Sequence, residues 1–379
     1  MLDRPPDSLA DYQQMLRQFL CNDPQTAPFR GYRAPDFLSG AAHMKTIQAL
    51  LFDEGWARVG WPTEAGGLGG DPRSRAVLFE TLWEADIQIP EAYTTIEILV
   101  PMMLVYAPAL AVELLPGVLR GDDSWAQAFS EPEAGSDMAS LRTKMEPDGD
   151  GWRLTGQKTW STYAHLCKRA ILLARSGEEG HRGLSMVLLD FDQPGVDVRP
   201  IRAQDGADHF SEIFLDGAHI DGDRVIGELG QGWEIAMYML QWERGAWGWL
   251  QQGRFHTRLE HLLADGTIAR EPGAGTAELG RSYAATTALR LQTRDTVDRL
   301  AGEEPLGPEV SIDKLLLIEA EVGIWNAMRH LSGTRFDMAP ELDWLREDYM
   351  YSRAAPIYGG SVEIQRSLVA QRVLGMPRR

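Results

Sequence analysis

Cysteine is scarce in this chain: Cys21 and Cys167 are the only two among 379 residues, and they form no motif. That excludes a disulfide framework and a Cys-based zinc site, and it suits a reducing cytosol. The 8 histidines make no HxxxH or HExxH spacing, so a zinc enzyme is not indicated. There is no GxSxG elbow, no P-loop and no GxGxxG after a strand, so a serine hydrolase, a P-loop enzyme and a Rossmann dinucleotide site all lack support. Positive charge is in deficit. With 37 Lys and Arg against 55 Asp and Glu, the net charge is −18, and no nucleic-acid partner is expected. Long hydrophobic runs are missing too. The longest, ILVPMMLVYAPALAV at 98–112, is too short to span a bilayer and carries two prolines, so it reads as buried core. The first residues, MLDRPPDSLADYQQ, place prolines and acids where a signal peptide needs an apolar core. The sequence reads as a soluble cytoplasmic protein with no membrane partner.

What is present is an ordinary globular composition, 44% hydrophobic and 24% charged, with material for a large core. Residues 1–122 read mostly as helix, with AAHMKTIQALLFDEGWARVG and SRAVLFETLWEADI separated by the loop WPTEAGGLGGDP. Between 123 and 225 the pattern changes to short β-rich runs, among them GWRLTGQKTWST, RAILLARS, LSMVLLDF and FSEIFLDGAHI. Gly, Asp and Pro turns separate them, which suggests a compact β-barrel or sandwich. Helices are predicted again at 230–253, 276–300, 308–332 and 341–374, with a loop at 265–278. The fold class is α+β, mainly α, with domains at 1–122, 123–225 and 226–379.

Four stretches are candidates for chemistry. AFSEPEAGSDMASL (128–141) is a small polar loop after an apolar run, able to offer N–H groups and hydroxyls to a ligand, or simply a surface turn. GQKTWSTYAHL (156–166) puts Trp160 and Thr162 on one face of a strand. A Trp ring beside a hydroxyl suits a flat cofactor, but in a chain with 12 tryptophans a core Trp is the strong alternative. In GWEIAMYMLQWERGAWGWLQQ (232–252), Glu243 has Ala236, Met239, Leu240, Ala246, Trp247 and Leu250 as its helical neighbours. A carboxylate on an apolar stripe is either a general base or half of a structural pair with Arg244 or another cation. IYGGSVEIQR (357–366) has two glycines, then Ser361 as N-cap and Glu363 in the first helical turn.

Together these stretches resemble the acyl-CoA dehydrogenase family. SEPEAGSD resembles its T/S-E-P-x-A-G-S-D segment, and GQKTWSTYA its G-x-K-x-W-I-T-N-A. IYGGSVEIQRSLVAQRVLG is similar to its C-terminal I-Y-G/E-G-T-x-E-I-Q-R signature, and DEGWARVGWPTEAGGLGG and FSEIFLDGAHIDGDRVIGELGQGW add support. The resemblance spans nearly the whole chain. It implies an N-terminal helical domain, a middle β domain and a C-terminal four-helix bundle, with FAD bound between the last two at a subunit interface. By resemblance, Phe129 and Ser130 hydrogen-bond the flavin pyrimidine, and Gly135 and Ser136 belong to the loop near the pyrophosphate and pantetheine arm. Trp160 packs on the flavin, Thr162 approaches N5, and Ser361 and Glu363 line the FAD. The family's base glutamate follows the signature Tyr in many members. Here that Tyr is Tyr358 and the next residue is Gly359. Other members carry the base on the helix after the β domain, in an x-E-R segment, and QWERGAWG matches that at Glu243. The implied reaction is α,β-dehydrogenation of an acyl thioester. Glu243 takes the α-proton, hydride goes to flavin N5, and the Gly359 N–H supports the enolate oxygen. Gln241, Arg244 and Tyr358 match substrate-side positions.

Several departures shape the expected partners. The E-R-x-Q-F-G-x-P motif is absent, and GPEVSIDKLLLIEAE resembles a bacterial branch that degrades steroid side chains and other bulky acids. Members of that branch often form α2β2 complexes, so a homo-oligomer or a hetero-oligomer with a related chain is expected, with electron-transfer flavoprotein as acceptor. Gln127 replaces a common aromatic, and Tyr163 the usual Asn. An acyl-carrier-protein thioester stays open beside acyl-CoA. So do a partner-dependent or non-catalytic subunit and a flavin monooxygenase of the same fold, although Glu243 argues against the last. A missing side chain at 359 leaves room beside the α-carbon, consistent with a branched, cyclic or otherwise bulky acyl group.

Overall fold

The computed structural model describes residues 1–177, 180–265, 274–304 and 306–377. In chain order its helices are α1 (Leu9–Asn22), α2 (Phe37–Asp53), α3 (Arg73–Glu84), α4 (Ala92–Tyr106), α5 (Pro108–Arg120), α6 (Gly232–Asp265), α7 (Ala274–Ala301), α8 (Val310–Ser332), α9 (Arg335–Met338), α10 (Asp343–Tyr351) and α11 (Val362–Leu368). The strands, all lying between α5 and α6, are β1 (Trp125–Ala128), β2 (Lys144–Asp148), β3 (Gly151–Thr162), β4 (Arg169–Arg175), β5 (Leu184–Asp190), β6 (Val196–Ile201), β7 (Phe210–Ile220) and β8 (Val225–Ile226). The chain divides into two compact units. One comprises Met1–Pro5, Arg33–Gly70 and Pro90–Trp242. The other comprises Pro6–Tyr32, Asp71–Ile89 and Glu243–Arg379. Helices of the first 122 residues are thus shared out: α2, α4 and α5 belong to the first unit, α1 and α3 to the second.

In the first unit the strands form one eight-stranded sheet, in the order β6-β7-β3-β2-β4-β5-β8, with β1 running parallel to β4. AILLA of β4 and LSMVLL of β5 are buried throughout and read as continuous apolar runs. In β7, Ser211, Ile213 and Leu215 point inward and alternate with less buried neighbours. The apolar run 98–112 becomes the end of α4 and the start of α5, divided where Pro108 takes the first position of α5. Leu99, Met102, Met103 and Ala111 of this run are fully buried. The end of α5 is tied down from α2: Gln48, 2% exposed, donates through Nε2 to the carbonyls of Val118 and Leu119, each at 3.1 Å. Those carbonyls are among the four that a helix C-terminus leaves without a partner.

The second unit packs α6, α7, α8 and α10 around Phe255, Leu289, Leu317, Ile324, Trp325 and Leu345. Glu80 of α3 joins it to this core region, accepting from Gln252 Nε2 of α6 at 3.0 Å and pairing with Arg290 of α7 at 3.0 Å. Two helix boundaries differ from those read in the sequence. Helix α6 does not stop at 253 but continues to Asp265, because Phe255 and Leu259 keep the buried spacing, both 0% exposed. The helix expected over 341–374 is broken between Tyr351 and Val362. Gly359 and Gly360 have φ of +61° and +93°, which no helix accommodates, and Ser361 caps a fresh start by accepting from the Ile364 N–H. Of the loop expected at 265–278, residues 266–273 lie outside the described residues.

Replacing Gln48 with Leu keeps its volume but takes the donor from the Leu119 carbonyl, while the Val118 carbonyl keeps the Gly121 N–H. The expected loss is about 2 kcal/mol, read as a lower urea midpoint with an unchanged m-value; an unaltered midpoint would show that the tie carries no weight.

Candidate functional site

The first unit contributes a loop and a distorted strand. Glu131 follows Ser130 in the polar loop and turns inward, 9% exposed. Its carboxylate accepts from the N–H groups of Arg142 (2.6 Å) and Thr143 (2.9 Å), and from Lys158 Nζ (2.7 Å). Lys158, 0% exposed, also donates to the Phe129 carbonyl at 3.2 Å, and the Thr159 N–H donates to the Ser130 carbonyl at 2.9 Å. Burial drives the Lys158 ammonium down to about 8, against the pull of Glu131. Burial also pushes the Glu131 carboxyl up, but the Lys158 charge and the hydrogen bonds outweigh it and leave the carboxyl below its ordinary value. This pair pins Phe129 and Ser130 to β3 while Gly135 and Ser136, further along the loop, stay exposed. A Cβ at Gly135 would meet nothing within 4 Å.

Strict alternation along β3 would put Trp160 on the same side as Lys158. A register shift between Lys158 and Ser161 prevents this. Trp160 takes φ +60°, and its ring turns outward, 60% exposed, with only the edge of Phe210 against it at 6.0 Å. Ser161 is buried and Thr162 is exposed again, so Trp160 and Thr162 share the outer face as expected. A core tryptophan is excluded. Tyr163 also has positive φ, +50°, the conformation Asn tolerates best. Here it is held by Phe37, ring centroids 5.4 Å apart, and by a hydrogen bond between its hydroxyl and His209 Nδ1 at 3.1 Å.

The second unit brings together Glu243, Tyr358 and Gly359. Glu243 is half-buried on α6. A Cβ built at Gly359 would stand 3.2 Å from Glu243 Oε1, and 3.6 Å from Lys314 Nζ of α8. Lys314, 4% exposed, lies over the Tyr358 ring at 3.8 Å from its centroid. The Tyr358 hydroxyl donates to Glu321 Oε2 at 2.8 Å, and Glu321 is 3% exposed, so burial raises its carboxyl above the usual range. Ser361 is half-buried at the start of α11, and Glu363 is exposed in its first turn. Gln241 is half-buried at the end of the first unit, and the side chain of Arg244 lies outside the described residues.

Three functional candidates escape a reading of the sequence: Glu131, Lys158 and Lys314. For Lys314 the signal was there, a charged residue in the otherwise apolar SIDKLLLIEAE; Glu131 in SEPEAGSD and Lys158 in GQKTWST have polar neighbours and carry no such mark. No cluster of His, Cys, Asp and Glu able to hold a metal occurs among the described residues, and no helix among them is long and apolar enough to cross a membrane. The residues fit a flat cofactor. In the first unit an indole held outward against backbone preference offers a stacking face, and the Thr159 N–H ties the polar Ser130 to the strand that carries it.

Two family models match the chain: acyl-CoA dehydrogenase, middle domain, over residues 126–218, and acyl-CoA dehydrogenase, C-terminal domain, over residues 230–374. Among curated relatives, acyl-CoA dehydrogenase IpdE1 of Mycobacterium tuberculosis is 37% identical over 84% of this chain and 84% of its own. Among solved structures, the Tcur3481-Tcur3483 steroid ACAD aligns with a TM-score of 0.84 at 25% identity, covering all of both chains. The ChsE4-ChsE5 complex from Mycobacterium tuberculosis aligns over both whole chains with a TM-score of 0.82 at 21% identity, a likeness of fold.

Replacing Lys158 with Met leaves Glu131 charged and buried without its cation. The expected cost is about 3–5 kcal/mol, measured by urea unfolding; a cost near that of an exposed pair, under about 1 kcal/mol, would mean that water reaches Glu131.

Proposed function

We propose, from the premise that this chain belongs to the acyl-CoA dehydrogenase family, that it is an FAD-dependent oxidoreductase that desaturates an acyl-CoA thioester with Glu243 as the α-proton base. The observation that carries the reading is the Glu243 carboxylate facing Gly359, where most of the chain's chemistry-bearing candidates in the second unit converge. FAD, when bound, accepts the hydride leaving the β-carbon. The residues that would hold it are Phe129 and Ser130 at the pyrimidine edge, Trp160 and Thr162 along the ring system, and Gly135, Ser136, Ser361 and Glu363 along the rest of the cofactor. Glu243 removes the α-proton. Its apolar neighbours on α6 exclude water, so the carboxylate keeps its basicity for the substrate. The Gly359 N–H supports the thioester oxygen as negative charge develops on it. Glycine is required there by its left-handed φ and by the close approach of Glu243, since any side chain would occupy the space the α-carbon needs.

The substrate class is a branched, cyclic or steroid-side-chain-like acyl group. The missing side chain at Gly359 supports it, and so does the likeness to a protein named as a steroid ACAD. Gln241, Arg244 and Tyr358 are the proposed substrate-side residues, with electron-transfer flavoprotein as acceptor. A second reading keeps the same chemistry but makes the chain dependent on a related partner chain, and the two-chain composition of both similar structures favours it.

The test is a visible spectrum of the purified protein, alone and co-expressed with a related chain. Anaerobic titration follows with butyryl-, octanoyl-, palmitoyl-, isobutyryl- and cyclohexanecarbonyl-CoA and a steroid-carboxyl-CoA. Glu243→Gln is expected to keep bound flavin and lose substrate bleaching, and undiminished bleaching would remove Glu243 from the mechanism. Trp160→Gly relieves about 1–2 kcal/mol of backbone strain, so its cofactor-free form should unfold no earlier than the wild type while retaining less flavin on dilution. Equal flavin retention would deny Trp160 a stacking role.

A further inference from the structure

Lys314 is buried, yet its ammonium has no hydrogen-bond partner among the described residues. Other charged groups in this unit have contacts of their own. On α8, Asp313 accepts from Thr296 of α7 at 2.7 Å, and burial, with a smaller push from Asp295 of α7, raises its carboxyl to about 6. Glu321, also on α8, takes the Tyr358 hydroxyl. Arg254 of α6 is paired with Asp348 of α10. Glu363 of α11 is exposed. The side chain of Arg244 on α6 lies outside the described residues. What Lys314 faces is the Tyr358 ring, the empty Cβ position of Gly359, and across that position the Glu243 carboxylate.

We propose that Lys314 is a positioning residue for this reaction: its ammonium, held near Glu243 without bonding to it, keeps the resting base ionised inside its apolar shell. The proposal rests on Glu243 being the base. An isolated carboxylate in apolar surroundings takes up a proton, and a cation within about 4–6 Å reverses that preference by roughly one to three pH units. A direct salt bridge would occupy the oxygen that must reach the α-proton. A cation held by a ring face favours the charged form without itself bonding to the oxygen that must reach the α-proton. Burial lowers the Lys314 ammonium to about 8, opposed by Glu321 and Glu243, so it remains mostly charged at neutral pH. Glu321 does not compete fully for it, since burial drives that carboxyl toward its neutral form.

The test is the pH profile of kcat/KM for the flavin-loaded protein, with its partner chain if one is needed, using the thioester that bleaches the flavin fastest in the titration above. Activity needs the Glu243 carboxylate, so the acid limb reports its ionisation. Lys314→Met is expected to keep bound flavin and move the acid limb up by roughly one to two pH units, and Lys314→Arg to restore it. Lys314→Gln serves in place of Met if that variant fails to fold. An unmoved limb in a flavin-loaded neutral variant, or activity lowered equally at every pH, overturns the proposal. An active Glu243→Gln variant overturns the assignment of the base instead, so the two failures are told apart.

Discussion

Lys158 and Glu131 hold the first unit's working face together. Neither would survive burial alone, because an unpaired charge inside an apolar shell costs several kcal/mol. Together they satisfy two backbone N–H groups and one carbonyl, and they clamp the polar loop to the strand that carries Trp160. The interior contact decides which way the exterior points. With Lys158 fixed inward, the residue two positions on must also point inward unless the strand slips, and the slip between Lys158 and Ser161 is what delivers an outward indole.

The second unit meets the same constraint in another way. Here too a lysine ammonium is buried and driven to about 8. Lys158 is bonded at 2.7 Å to its carboxylate, whereas Lys314 is left unbonded, against a ring. One arrangement satisfies both charges, the other leaves an ammonium without a hydrogen bond. The double glycine belongs to this contrast. It brings the chain within a Cβ radius of both charges and contributes no side chain of its own.

Much of this was legible in the sequence, for physical reasons. Helices and strands showed because apolar residues recur at 3.6 or 2 positions, and Ser361 showed as a cap because few residue types accept from the third amide of a helix. Glu243 stood out as a carboxylate among apolar neighbours. The end of the break at 352–361 showed in the two glycines and the Ser361 cap, but its start, a 3-10 turn at Ser352–Ala354, was hidden because apolar residues on either side keep helical spacing. The outward turn of Trp160 was legible only through the motif resemblance, since a register slip leaves no mark in alternation. The buried charges were hidden because neighbours such as Glu131 and Lys158, or Lys314 and the Tyr358 ring, meet only on folding.

The backbone at Trp160 sets up a conflict with a consequence for descent. Left-handed φ favours glycine or asparagine, whereas a flat ligand favours a ring. On the proposed stacking role, a bound ligand would hold the ring against the backbone's preference. A lineage that gave up the ligand would lose that restraint, and drift would run downhill toward the smaller residues. On that reading the identity of this single position across relatives would follow which of them carry the cofactor.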